Sequence, residues 1–177
     1  PMPSVVVDGE LWPVNGSQVA IVDKGRVLVQ FRPWPPGWEL PGGHVDRDED
    51  PAAAAARECE EETGFRVSIR GLVGVYTWEG LRSAGDAVYL AEITGGRRHW
   101  NLEAWVTRFV APTELPRTLF PWCHERVMDA IARAEGEAPV HRVQPITMYH
   151  VANFATQWMR EPVDSMRAWW RRHRSPY

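Results

Sequence analysis

The chain has 177 residues, 44% of them hydrophobic and 24% charged, which suits one globular domain with a core of ordinary size. A formal net charge of −3 excludes any whole-chain attraction to nucleic acid or to an acidic membrane. Two cysteines, Cys59 and Cys123, make no disulfide framework, and no apolar run reaches membrane-spanning length. The opening stretch PMPSVVVDGELWP lacks the charged start and long apolar run of a signal peptide, so the cytoplasm is the expected compartment.

In chain order, residues 18–22 and 26–31 predict two strands joined by a turn at Asp23-Lys24-Gly25. Val27 and Val29 share one face of the second strand, Leu28 and Gln30 the other. Residues 32–38, RPWPPGW, predict a stiff proline-rich loop. A helix is expected over residues 51–63, with Asp50 as cap, Pro51 in its first position and Gly64 as its stop. Residues 66–79 are β-rich, residues 87–93 read as a buried strand, and residues 103–110 as another. Residues 121–135 predict an amphipathic helix whose apolar side carries Trp122, Val127, Met128 and Ile131. Residues 140–146 are strand-like, and residues 148–159 are helix-like, with Val151, Phe154, Ala155 and Trp158 on one side.

The most informative stretch is residues 43–65, GHVDRDEDPAAAAARECEEETGF, which follows the pattern G-x5-E-x7-R-E-U-x-E-E-x-G-U with U apolar. On a helix, Glu58, Glu61 and Glu62 fall within an arc of roughly 100°, and Glu60 points away from them. Ala52, Ala56, Cys59 and Thr63 form a second arc of small side chains suited to packing on a sheet. Like charges at these spacings oppose an isolated helix, and a hard divalent cation reverses the sign of that term. Arg57 can reach back to Glu49 ahead of the helix. Gly42 and Gly43 leave the preceding backbone open to close approach.

On these residues the chain resembles the Nudix family, since every position of the Nudix box is filled; VLVQFR followed by WELPGG resembles the family's lead-in. The resemblance implies an α/β fold, an α/β/α sandwich with a mixed β-sheet. It also implies hydrolysis of a nucleoside diphosphate linked to a further group X, with Mg2+ or Mn2+ as cofactor. Glu58, Glu61 and Glu62 would then be metal ligands together with the Gly42 carbonyl, and Glu49 and Arg57 would orient them. Arg32 would face the phosphates. Trp34, Trp38 and Trp78 are the candidates for stacking on a base. The general base would be a box glutamate or one from a later loop, where Glu79, Glu92, Glu103 and Glu114 are available and Glu103 is preferred. The ADP-ribose and coenzyme A signatures are missing.

Residues 1–136 are expected to form the Nudix domain, and residues 137–177 an extension with helices. Its segment VDSMRAWWRRHR holds four arginines against one aspartate. That extension is expected to pack back on the domain or on a second subunit, the latter giving a homodimer. The other reading of the same fold is a sensor that binds a nucleotide without cleaving it.

Overall fold

The computed structural model describes residues 2–33, 35–80, 84–98, 106–148, 150–152 and 154–156, with backbone only at Ala84 and Ile146. A small hairpin comes first, β1 (Ser4–Val7) and β2 (Glu10–Pro13). The larger sheet follows: β3 (Gly16–Asp23), β4 (Arg26–Pro33), β5 (Pro36–Glu39) and β6 (Gly42–His44). Helix α1 (Pro51–Thr63) leads into β7 (Phe65–Gly80), β8 (Ala84–Gly96) and β9 (Val106–Val110). Helix α2 (Cys123–Ala134) and β10 (Val140–Ile146) complete the named elements. Both early hairpins turn through two left-handed residues, Asp8-Gly9 and Lys24-Gly25, the backbone that matches the twist of paired strands.

The large sheet runs β10-β7-β8-β3-β4-β5, with β6 also on β3 and β9 also on β4. The β3–β8 and β7–β10 pairs are parallel and the others antiparallel, so the sheet is mixed. Side chains alternate across it with the period of two that strands impose. Val19, Ile21, Leu28, Val75 and Tyr89 join Ala55 and Cys59 of α1 on one side. Ala20, Val27, Val29, Val73 and Val88 join Cys123, Val127 and Ala130 of α2 on the other. The result is the expected three-layer α/β/α arrangement. Among the described residues, no helix is long and apolar enough to cross a membrane.

β3 and β4 pair only next to their turn, at Val22–Val27 and Asp23–Arg26. Beyond that they part: the start of β3 takes β6 as its partner, and the end of β4 takes β5. The gap between them receives side chains from both strands and from α1, and it positions the site.

Two local expectations change, in the proline-rich stretch and on α2. The proline-rich stretch is a tight hairpin rather than a loop, because β4 continues to Pro33 and β5 starts at Pro36, directly opposite it. On α2, Met128 is exposed and Arg126 is fully buried, so the packed face is Cys123, Arg126, Val127 and Ala130. The strand expected over residues 103–110 is present at Val106–Val110, and residues 103–105 lie outside the described residues. In the C-terminal region, residues 148, 150–152 and 154–156 are helical, and Phe154 packs against Phe120 at 4.9 Å between ring centroids.

Arg126 is buried because each of its three nitrogens donates a hydrogen bond and its charge is paired with Asp86. It donates to Gln18 Oε1 on β3 (2.7 Å), Asp86 Oδ2 on β8 (2.8 Å) and Gln144 Oε1 on β10 (3.0 Å). The guanidinium also lies 5.0 Å from the centre of the Tyr76 ring. One side chain thus ties α2 to three strands. Replacing one member of a buried ion pair strands the other, so R126M is expected to cost about 3 kcal/mol. Urea unfolding checks this; a loss below about 1 kcal/mol would mean the network is only loosely coupled to the fold.

Candidate active site

Helix α1 is built as its local chemistry dictates. Asp50 accepts a hydrogen bond from the Ala53 N–H at 3.0 Å, Pro51 opens the first turn, and left-handed Gly64 closes the last by donating to the Glu60 carbonyl. Ser17 Oγ of β3 donates to the Pro51 carbonyl at 2.6 Å and pins the helix start to the sheet. Ala54, Ala55, Cys59 and Thr63 are buried, whereas Ala52 and Ala56 are half-buried, so the packed arc is rotated slightly from the expected one.

Arg57 organises the acidic surface. Its guanidinium grips Glu49 with two donors, Nε at 2.9 Å and Nη2 at 3.0 Å. It also donates to Glu58 at 2.7 Å and Glu61 at 3.3 Å, and more loosely to the His44 carbonyl. These bonds hold the Glu49 carboxyl below the ordinary carboxylate range and raise the guanidinium pKa further.

A cavity of about 740 Å³ opens where β3 and β4 part. It is lined in part by Glu58, Glu62, Glu39, Gly42, Gly43 and Arg32. Both glycines are needed for this. A Cβ on Gly42, whose φ is +151°, would sit 2.2 Å from the Ser17 carbonyl oxygen, and one on Gly43 would sit 2.5 Å from the Glu58 carboxyl carbon. Glu62 Oε2 accepts from Gln30 Nε2 at 2.6 Å and from the Gly42 N–H at 2.9 Å. Burial nonetheless dominates and pushes the Glu62 carboxyl up to about 8, with the charges of Glu39 and Glu58 adding to the effect. Glu39 lies within 3.2 Å of Arg32, yet burial raises it to about 7. Asn15, Gly16, Trp78, Asp86, Trp122 and Arg126 also line the cavity.

The expected residues divide as follows. Glu58, Glu62, Gly42, Arg32 and Trp78 line the cavity. Glu49 and Arg57 pair beside it. Glu61 does not line it: its side chain is 55% exposed and leans on Arg57. Trp38 stands outside, packed edge-on against Phe31 at 5.5 Å and covered by Arg108 at 4.2 Å, because alternation along β5 turns Glu39, not Trp38, toward the cavity. Trp34 and Glu103 lie outside the described residues. Sequence reasoning missed Glu39, Asp86 and Arg126. Arg126 was legible, because it lies at helical spacing between Cys123, Val127 and Ala130 on a face that must be apolar or internally paired.

The oxygen-rich donor set fits a hard divalent cation. Glu58 and Glu62 share a wall with the Gly42 backbone, and Gln30 Oε1, bonded through its amide nitrogen to Glu62, is buried with no hydrogen-bond partner among the described residues. The side chains are not closed into a coordination shell: among the described residues no three His, Cys, Asp or Glu groups are gathered tightly enough to hold an ion. Arg57 draws Glu58 and Glu61 to itself instead.

The two raised carboxyls set a pH dependence. Their folded pKa values lie above the ordinary 4.5, so between that value and about 8 the folded chain binds more protons than the unfolded one. Stability present at low pH is therefore lost as pH rises through this window. In chelator, the melting temperature is expected to fall from pH 5 to pH 8.5, and E39Q is expected to fall less steeply. Equal slopes for the two proteins would contradict the assignment.

The likeness to known proteins covers this same region. A family model described as the NUDIX domain matches residues 15–131. A MutT-like protein of Streptomyces ambofaciens is 31% identical over 129 residues, which is 73% of this chain and 83% of that protein. A CMP-5'-(N-acetyl-N-hydroxy-3-aminopropyl)phosphonate hydrolase of Streptomyces rubellomurinus is 37% identical over 116 residues, 59% of this chain and 55% of its own length. The crystal structure of a MutT NUDIX hydrolase from Burkholderia pseudomallei is 30% identical, with a TM-score of 0.58 over 64% of this chain and 95% of that one. With the box complete and the cavity's lining residues inside the matched span, the chain belongs to the Nudix family and is a pyrophosphohydrolase.

Proposed function

We propose that the substrate is a nucleoside diphosphate linked to a further group, cleaved by water attack on one phosphorus of the diphosphate. The observation that carries this is the pairing within one cavity of two carboxylates from a single helix face, Glu58 and Glu62, with a half-exposed guanidinium, Arg32. A diphosphate bound among cations of both kinds satisfies that mixture of charge; the carboxylates alone would repel it. The similarity to a hydrolase whose name specifies a CMP-linked phosphonate supports a nucleotide in particular.

Glu58, Glu61, Glu62 and the Gly42 carbonyl are the groups that would hold Mg2+ or Mn2+. Once bound, such a cation neutralises phosphate oxygens and lowers the pKa of a water. The chain's own groups do the rest. Gln30 and the Gly42 N–H hold the Glu62 carboxylate in one orientation. Glu49 fixes the guanidinium of Arg57, and Arg57 in turn steadies Glu58 and Glu61. Arg32, 41% exposed at the mouth, meets phosphate oxygens and is aimed by Glu39. Glu103 is retained as the proposed base, with a box glutamate as the other source.

E58Q and E62Q are each expected to lower kcat by at least about a hundredfold on the best nucleotide substrate, since charge stabilisation dominates this chemistry. Both should also diminish the rise in melting temperature that Mg2+ gives the wild type, a readout independent of turnover. Near-normal turnover in both variants would defeat the carboxylate assignment. R57A is expected to lower stability and turnover together, and K-for-R replacement to restore little, because lysine cannot form the two-pronged grip on Glu49.

A further inference from the structure

Across β3 from Gly43 and Glu58, the cavity carries a polar constellation outside the groups proposed above for hydrolysis of the diphosphate. Asp86 stands at the start of β8. Its Oδ2 is committed twice, accepting from Arg126 Nη2 at 2.8 Å and from Trp78 Nε1 at 2.9 Å. Its Oδ1 makes no hydrogen bond among the described residues, although the residue lines the cavity and its side chain is only 17% exposed. That oxygen rests on bare backbone: a Cβ added to Gly16 would lie 2.1 Å from it. Beside it, Asn15 spends its side-chain oxygen on the Gly85 N–H at 3.2 Å, which leaves its amide N–H groups for the cavity. The walls here are flat and aromatic. Trp78 lies 4.8 Å from Trp122, which stacks on Phe120 at 4.7 Å with planes 6° apart.

Glu58 stands over β6 and Asp86 on β8, the strands that flank β3. Gly43 of β6, under Glu58, pairs with Ser17 of β3, and the adjoining Gly16 pairs with Asp86 of β8. β6 and β8 therefore lie two inter-strand spacings apart, roughly 10 Å between backbones, and Asp86 Oδ1 reaches back over Gly16 toward Gly43. A ligand that lies across β3 from the glutamates meets Asp86 and the tryptophans.

We infer that Asp86 is a specificity-determining residue that reads the exocyclic amine of the base, so that the site takes nucleotides with an amino group there in preference to their oxo counterparts. This rests on the nucleotide reading above. A carboxylate oxygen only accepts hydrogen bonds, so it rewards an amine and repels a carbonyl. Arg126 and Trp78 do not touch the base; they position the carboxylate by claiming its other oxygen. In D86N that claim persists, because both partners are pure donors and must be met by the amide oxygen. The amide nitrogen is then forced toward the cavity, which turns an acceptor into a donor. In G16A the new methyl group displaces Oδ1 without changing any charge.

The test is calorimetric binding of CMP, UMP, AMP and IMP, with Mg2+, to the wild type, D86N and G16A. Each pair of nucleotides differs at the amino or oxo group, and the ratio within a pair is independent of the fraction of protein folded. The wild type is expected to prefer CMP over UMP and AMP over IMP by about tenfold or more, as sites built around a hydrogen bond do. D86N is expected to level or reverse both ratios, and G16A to shrink them. Equal wild-type affinities within each pair overturn the inference. So does a D86N variant that weakens all four ligands alike, which would place the sugar or the fold at Asp86. If no monophosphate binds but a diphosphate that is not a nucleotide is cleaved, the base reading fails and the hydrolase stands. If the ratios hold but no linked diphosphate is cleaved, the substrate proposed above fails and the assignment of Asp86 stands.

Discussion

The site depends on the parting of β3 and β4 just beyond their turn. A continuous ladder there would put hydrogen-bonded backbone where Gln18, Gln30, Glu39 and Glu62 now stand. Once the strands separate, each finds another partner, β6 for one and β5 for the other, so few backbone groups are orphaned. The gap has low dielectric walls and holds two carboxyls whose ionised forms are disfavoured by burial. The fold thus stores an electrostatic deficit that only protons or cations can relieve. At Glu39, Arg32 relieves it in part from the mouth, and Arg126 does so from beneath. A cation accompanied by a negatively charged ligand completes the compensation without leaving net charge behind.

The box helix was legible almost residue by residue. Its cap, its first proline, its left-handed stop and the Arg57–Glu49 grip all follow from local chemistry, and local chemistry is what a sequence displays most directly. The hairpin of β3 and β4 was legible for the same reason, as was the division of Val27 and Val29 from Leu28 and Gln30. The Asp86 side of the cavity was not. Asp86, Arg126, Gln18 and Gln144 come from β8, α2, β3 and β10, and nothing in their sequence spacing says that they meet. Trp38 shows a related limit: an aromatic residue beside the box suggests stacking on a ligand, but the strand's alternation gives that place to Glu39 and spends the indole on Phe31 and Arg108. The proline-rich run misled because prolines facing each other at Pro33 and Pro36 cap an edge hairpin, where no ladder donor is missed.

Three glycines show how the two sides of the cavity come to be parts of one surface. Gly43 lies under Glu58, Gly42 offers its N–H to Glu62, and Gly16 lies under Asp86. In each case an acidic side chain stands against backbone with no Cβ between them. The sheet surface from β6 across β3 to β8 is therefore low and smooth, with carboxylates along it and guanidiniums at its margins. Such a floor lets a flat, charged ligand lie close to the backbone along its whole length. It also explains why the acidic groups do not collapse onto one another: each is held by its own partner, Arg57 for Glu58, Gln30 for Glu62 and Arg126 for Asp86. Because those partners come from three different elements, a change at one of them need not propagate to the others. The base recognition and the diphosphate hydrolysis proposed above then rest on separately held groups.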